Sequence, residues 1–132
     1  KISVFGGDQK RPNIHIEDVT DLYIQSLEWP EDIIDGNVFN AGYDNQTVLE
    51  IAGIVKNSVS PNVEIATVPT DDHRSYHISS DKIRQAVGYE PKLSIVDAVD
   101  DLVTAFSEGK IPDSLNDMRY YNIKTMQALK LK

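Results

Sequence analysis

The sequence predicts a mixed α/β (α+β) domain, and three observations predict it. Short β-like runs alternate with stretches of helical spacing along the 132 residues. Two Ser/Thr-x-x-Asp/Glu phrases, Thr47-Val48-Leu49-Glu50 and Ser94-Ile95-Val96-Asp97, mark helix starts, because each side chain can satisfy the other's free backbone donor. No internal repeat or low-complexity segment is present, and strands and helices are mixed in order, which gives a small unit of four helices and at least three strands.

Taken in order, Ile2 to Phe5 reads as a strand that ends at Gly6-Gly7. Asn13 to Ile16 is a second short extended run, and Pro12 pushes Arg11 into an extended conformation by steric clash. Asp18 is expected to cap a helix, with Asp21 three residues on and Val19, Leu22, Tyr23, Ser26 and Leu27 on its inner face. Pro30 and Gly36 bracket a loop, and Asn37 to Asn40 is expected to form a strand leading into Ala41-Gly42. The Thr47 box opens a helix carrying Val48, Ile51, Ala52 and Val55 on one face. Val63 to Val68 is a further strand before Pro69. Ser79 or Ser80 caps a short helix that holds Ile83 and Val87 and stops at Gly88. The Ser94 box opens a helix with Ile95, Val99, Leu102, Val103 and Phe106 in register until Gly109. Beyond Pro112 the chain turns polar, with a terminal helix expected around Ile123 to Leu131. The organisation expected is a binding domain over 1–109 and a C-terminal tail over 110–132.

Length and composition narrow the function classes. The size suits one domain with a core of its own, and 40% hydrophobic with 26% charged residues is ordinary for a soluble globular protein. No run approaches the roughly 18 apolar residues of a membrane helix. The chain opens on a strand-like pattern without Met, which suggests a piece of something longer. With no cysteine there are no disulfides or thiolate metal sites, and a cytoplasmic setting is expected. A net charge of -8 argues against a duplex nucleic-acid partner, which needs a basic face. Residues 110–132 carry five Lys/Arg against two Asp, a net +3, which leaves about -11 on the rest. That basic tail reads as a solvated helix or a frayed end.

Several catalytic and cofactor signatures are missing. Gly6-Gly7 follows a strand, but Gly-x-Gly-x-x-Gly is absent and Arg-Pro stands where a helix should open. No phosphate-cradling Gly-x-x-x-x-Gly-Lys-Ser/Thr loop occurs either. His15, His73 and His77 fit no zinc spacing, so no metal is expected. His15 alternates with Ile14 and Ile16; it is either a hydrogen-bonded strand histidine or a ligand contact. Tyr120 and Lys124 have the spacing by which an ammonium on a helix lowers a phenol pKa, but they lie near the chain end and read as a chance pair.

Arg11 and Arg74 are the informative cations of an acidic chain. A guanidinium matches a phosphate by its planar fork and keeps its charge at any working pH. Arg11 stands between a strand end and a proline, and Arg74 lies in a polar loop shortly before a Ser-capped helix. Each has a plainer alternative as a surface ion pair, with Asp71 and Asp72 the obvious partners of Arg74. A shared anionic ligand, the diphosphate of a nucleotide-sugar, is the functional reading.

Three blocks in register support that reading by resemblance. Val4-Phe5-Gly6-Gly7, Gln9-x-Arg11 and Ile14-His15-Ile16-x-Asp18 resemble the opening of the C-terminal half of extended short-chain dehydrogenases/reductases, the NAD-dependent nucleotide-sugar epimerases and dehydratases. Asn37-Val38-Phe39-Asn40-x-Gly42 with the Thr47 helix resembles the next block, and Asp72-x-Arg74-x-Tyr76, Ser80-x-Lys82 and Val87-Gly88-Tyr89-x-Pro91 the third. The order holds from about residue 2 to 107, and Arg119-Tyr120-Tyr121-Asn122 resembles the ending of some members.

The resemblance implies a small substrate-binding domain without the Rossmann half. By it, Ser3 and Phe5 match the strand that lines the nucleotide base, Arg11 contacts the nucleotide-sugar near its phosphates, Arg74 clamps the diphosphate, and His15 approaches the ligand. NAD or NADP would be bound by an N-terminal Rossmann domain, with no cofactor and no catalytic residue on this chain. The parent would be a homodimer acting on a nucleotide-sugar, with neither nucleic acid nor membrane as a partner. Arg-Pro-Asn stands here where many relatives have Arg followed by Asp and an aromatic, which alters the sugar and base contacts. The alternative is a non-catalytic small α/β binding or interaction module.

Overall fold

A computed structural model describes residues 1–130 and divides them, with the chain end, into two compact units, Lys1–Asp100 and Asp101–Lys132. The fold class is the expected one. The first unit is built on two small sheets. Strand β1 (Ile2–Phe5) runs parallel to β4 (Ile65–Val68), with Ile2 opposite Ile65 and Phe5 opposite Val68. Strand β2 (Lys10–Asn13) runs antiparallel to β3 (Asp44–Thr47), with Arg11 opposite Gln46. Pro12 lies within β2, tolerated because a two-stranded sheet leaves every strand an edge.

Helix α3 (Val48–Val59) follows β3 directly and packs on β1 and β4. Its start is the reciprocal cap read from the sequence: Glu50 N–H donates to Thr47 Oγ1 at 3.1 Å, and Thr47 N–H to Glu50 Oε2 at 2.7 Å. The fully buried Val4 and the buried Ala52 of α3 lie on this packing. Parallel strands need a crossover of a dozen residues or more. Here everything from β2 to α3 lies between the two parallel strands.

Several expectations shift. Helix α1 (Ile16–Ser26) starts earlier than Asp18 predicts, because His15 is the N-cap: its Nδ1 accepts from Glu17 N–H at 3.2 Å. The extended run before it is Lys10–Asn13, rather than Asn13 to Ile16. Asp18 is instead buried and accepts from the loop that follows Tyr89. Val19, Leu22 and Ser26 lie on the less exposed face as expected, whereas Tyr23 and Leu27, also expected to face inward, are 70% and 86% exposed.

Residues 37–40 are not a strand; the strand of this region is β3. Lys82 Nζ contacts this segment: it donates to Asn37 Oδ1 at 2.9 Å and to the Val38 carbonyl at 3.0 Å and stands 4.8 Å from the Phe39 ring centroid. The Val38 carbonyl is thus taken by a side chain, not by a sheet ladder. The loop between Pro30 and Gly36 contains one short helical turn, α2 (Glu31–Ile34).

Helix α4 (Asp81–Val87) ends at Gly88, whose φ of 70° is the left-handed stop predicted. Ser80 holds the N-cap position without capping. Its hydroxyl instead bridges the Gly42 N–H at 2.9 Å and the Gly42 carbonyl at 3.0 Å. Ser79 accepts the Asp81 N–H at 3.1 Å. Helix α5 (Ile95–Ser107) opens on the Ser94–Asp97 box, in which Ser94 N–H donates to Asp97 Oδ2 at 2.7 Å.

In the second unit a 3₁₀ turn (Met118–Tyr120) precedes α6 (Asn122–Ala128). Thr125 Oγ1 donates to the Met118 carbonyl at 2.6 Å and fastens the two together. The expected terminal helix is present over most of its length; its last position, Leu131, lies outside the described residues. Among the described residues no helix is long and apolar enough to cross a membrane.

Candidate functional site

The parallel strands β1 and β4 end side by side at Phe5 and Val68, and both chains then turn away. Beyond these carboxyl ends lies an open crevice of about 350 Å³ lined by Gly6, Asp8, Gln9, Pro69, Thr70 and His73. In open α/β sheets the crevice outside the carboxyl ends of parallel strands is where ligands bind.

Local sequence dictates the near wall. Gly6 and Gly7 have φ of 77° and 134°, which only glycine adopts cheaply, and the chain doubles back on itself. That turn brings Gln9 over the strand end. Gln9 is 8% exposed and every polar atom of its amide is used. Its Oε1 accepts from Gly7 N–H at 2.6 Å, and its Nε2 donates to the Phe5 carbonyl at 3.1 Å and to the Asp72 carbonyl at 3.0 Å.

The far wall is formed by Pro69, Thr70 and His73, and the chain just beyond it is bound along β2. Lys10 N–H donates to Ser75 Oγ at 2.9 Å, and Tyr76 N–H donates to the Lys10 carbonyl at 3.0 Å. Both predicted arginines therefore meet on one edge. Arg11 Nη1 donates to the Arg74 carbonyl at 2.7 Å, and its guanidinium carbon stands 5.4 Å from the Tyr76 ring centroid. Arg74 makes a two-point fork on Asp72, with Nε to Oδ1 and Nη2 to Oδ2 both at 2.8 Å.

That fork sets the electrostatics. Hydrogen bonds from the Arg74 side chain and backbone hold the Asp72 carboxyl well below the usual carboxylate range, and Arg11 adds to the effect. The same pair holds Arg74 above the usual guanidinium range. The arrangement is a cationic edge with an internal counter-anion. An incoming phosphate would have to exchange with the Asp72 carboxylate, which is feasible because the Arg74 side chain is 71% exposed.

The remaining candidates are distributed. Ser3 and Phe5 share one face of β1, and Phe5 is 60% exposed there. His15 is buried, spends Nδ1 on the helix cap, and lines a separate pocket of about 310 Å³ with Asn13, Tyr43, Leu93 and Ile95. Tyr120 lies in the 3₁₀ turn and Lys124 in α6, where Lys124 Nζ stands 4.0 Å from the Tyr121 ring centroid. Among the described residues no three His, Asp or Glu side chains are grouped to hold a metal.

Sequence reasoning missed Gln9 as the tie between the two walls and Tyr76 as the surface under Arg11. Both stand in the blocks that carry the family resemblance, but their contacts join segments more than sixty residues apart and so have no local signal. Asp72 was legible as a partner of Arg74 from proximity in sequence.

No family model and no curated protein matches the sequence. Solved structures do. The chain is similar to RMD from Pseudomonas aeruginosa, solved with NADPH, at a TM-score of 0.65 and 20% identity. That match covers 81% of this chain and 35% of the other. It is also similar to dTDP-glucose 4,6-dehydratase from Bacillus anthracis str. Ames, solved with NAD, at a TM-score of 0.61 and 20% identity over 83% of this chain and 35% of the other. The chain thus spans about a third of the length of either protein. These likenesses establish the fold: a mixed α/β arrangement found as one part of the extended short-chain dehydrogenase/reductase fold.

Proposed function

We propose that this chain is the substrate-binding portion of an NAD(P)-dependent nucleotide-sugar epimerase or dehydratase, and that Arg11 and Arg74 hold the diphosphate of the sugar nucleotide. The observation that carries the reading is the meeting of the two arginines, 63 residues apart in sequence, through the 2.7 Å bond from Arg11 to the Arg74 carbonyl. The crevice at the ends of β1 and β4, lined by Gln9 and by His73, the chain neighbour of Arg74, supports it. So does the likeness to a dTDP-glucose dehydratase and to RMD, solved with NAD and NADPH respectively.

In this reading Ser3 and Phe5 offer the open sheet face to the base, and His15, the cap of α1, approaches the ligand from its own pocket beside Asn13 and Tyr43. The nicotinamide cofactor and the acid–base residues belong to a separate dinucleotide-binding domain, and no step is assigned to a residue of this chain. Its contribution is to bind the nucleotide, the part of the substrate that does not react, and so to orient the sugar.

The test is a nuclear magnetic resonance titration of the 132-residue chain with UDP, GDP and dTDP, followed by kinetics of the full-length enzyme. At least one nucleotide should shift the Arg11, Arg74 and Tyr76 signals, and Arg74→Ala should abolish the shifts. In the enzyme, Arg74→Ala should raise KM about tenfold or more, the scale of losing a charge-assisted pair. Absence of any shift at millimolar nucleotide, with KM unchanged, defeats the proposal. A second reading, an interaction module without chemistry, draws on α1 and its C-terminal cap, where Ile16 and Leu27 are 71% and 86% exposed. It gains if the nucleotides leave every signal in place.

A further inference from the structure

We infer that Gln9 is the positioning residue of the cationic edge, acting on Arg74 through the main chain of Asp72; the inference rests on the reading of that edge as an anion site. Three bonds from one side chain join three pieces of the fold: the end of β1 at Phe5, the glycine turn at Gly7, and the incoming loop at Asp72. Asp72 is where a small displacement matters most. Its carbonyl is fixed by Gln9, while its carboxylate carries the two-point fork that aims Arg74. Two residues on, Arg74 offers the carbonyl that receives Arg11. Gln9 therefore sets the depth at which the loop enters, and both guanidinium groups follow from it.

The amide is suited to this as no other side chain is. It accepts from one backbone N–H and donates to two backbone carbonyls, so neither a carboxylate nor a hydroxyl can replace it. Burial raises the stakes, because the bond to Gly7 N–H is buried and those to the Phe5 and Asp72 carbonyls are partly so. The Ser75 contact with Lys10 holds the same loop further along, but it lies at an exposed position beyond the fork.

Two variants separate holding the turn from aiming the arginines. Gln9→Glu keeps the acceptor for Gly7 N–H and replaces the donor to Phe5 and Asp72 by an acceptor. Gln9→Met keeps the bulk and removes all three bonds. In the 15N-labelled 132-residue chain, the Arg74 Nε–H should be protected by its fork on Asp72. Both variants should exchange that proton with water about tenfold faster, while the Ser94 amide in its own cap stays unchanged. Nucleotide affinity, read from the UDP, GDP and dTDP titrations, should fall about tenfold with it.

An unaltered Arg74 Nε–H in folded Gln9→Glu and Gln9→Met overturns the inference. Should neither variant fold, Ser75→Ala decides: the Arg74 proton remains protected if Gln9 is the pin, and its loss there overturns the inference. If the unaltered chain binds no nucleotide, the anion-site reading fails by itself, and the Arg74 proton still reports whether Gln9 sets the edge.

Discussion

Tyr89 donates its hydroxyl hydrogen to the main-chain carbonyl of Asp18 at 2.6 Å, across 71 residues of chain. The Asp18 carboxylate returns the contact by accepting from Lys92 N–H at 3.0 and 3.1 Å and from Leu93 N–H at 2.9 Å. One buried acid thus fastens α1 to the loop that introduces α5. Trp29 covers the Tyr89 ring edge-on, with centroids 6.4 Å apart. Burial pushes the Tyr89 phenol pKa up, with Asp18 and Asp21 adding to it.

Removing the acid leaves those amides unpaired in the interior. Asp18→Ala should destabilise the chain by about 3 kcal/mol, the scale of losing bonds to a charged acceptor together with desolvated donors. Tyr89→Phe should cost about 1 kcal/mol. Urea unfolding followed by circular dichroism measures both. An Asp18→Ala midpoint equal to that of the unaltered chain would mean that water replaces the carboxylate.

Acid should loosen the two capped helices in a defined order of cause. Bonds from the Thr47 backbone and side chain lower the Glu50 pKa, and bonds from the Ser94 side chain and backbone lower that of Asp97. A depressed folded-state pKa adds stability above the unfolded value, which is lost as pH falls through the folded one. The caps of α3 and α5 should therefore hold at pH 5 and open below the usual carboxylate range. Amide exchange at Thr47 and Ser94, followed downward from pH 5, checks this; protection that grows on acidification would contradict it.

Gly6 should tolerate no side chain. At φ of 77°, a Cβ there would come within 2.4 Å of Gln9 Nε2. Gly6→Ala should cost roughly 1–2 kcal/mol from the left-handed backbone. It should also displace the Gln9 amide, and so accelerate exchange of the Arg74 Nε–H as Gln9→Met does. Thermal unfolding and the same arginine signal test the two effects separately. A stable Gly6→Ala chain with an unchanged arginine signal would show that the turn can relax.

Lys82→Met keeps the stem of the side chain and removes its charge and donors. With the bonds to Asn37 and Val38 and the contact with Phe39 gone, stability should drop by about 1 kcal/mol. The segment 37–40 should lose amide protection before any helix does. If exchange in that segment stays put, its conformation is held by something other than Lys82.

Local signals in the chain determined much of this fold. Both capping boxes, the left-handed stop at Gly88, the strand at Ile2–Phe5, the strand expected over Val63 to Val68 and formed over Ile65–Val68, and the mixed class follow from residues within a few positions of one another. Proximity in sequence likewise gives the Arg74 fork on Asp72. What required the tertiary structure is every long-range assignment. His15 caps α1 because Asp18, which has the better capping side chain, is drawn inward to the amides of Lys92 and Leu93. Residues 37–40 form no strand, and the Val38 carbonyl is bound by Lys82 from 44 residues away. Arg11 and Arg74 come to one edge because Gln9 and Lys10 bind the loop of residues 72–76. Capping, turn and strand preferences act over one helical turn or one strand. Partners sixty or seventy residues away are chosen only when the folded chain makes each buried donor find an acceptor.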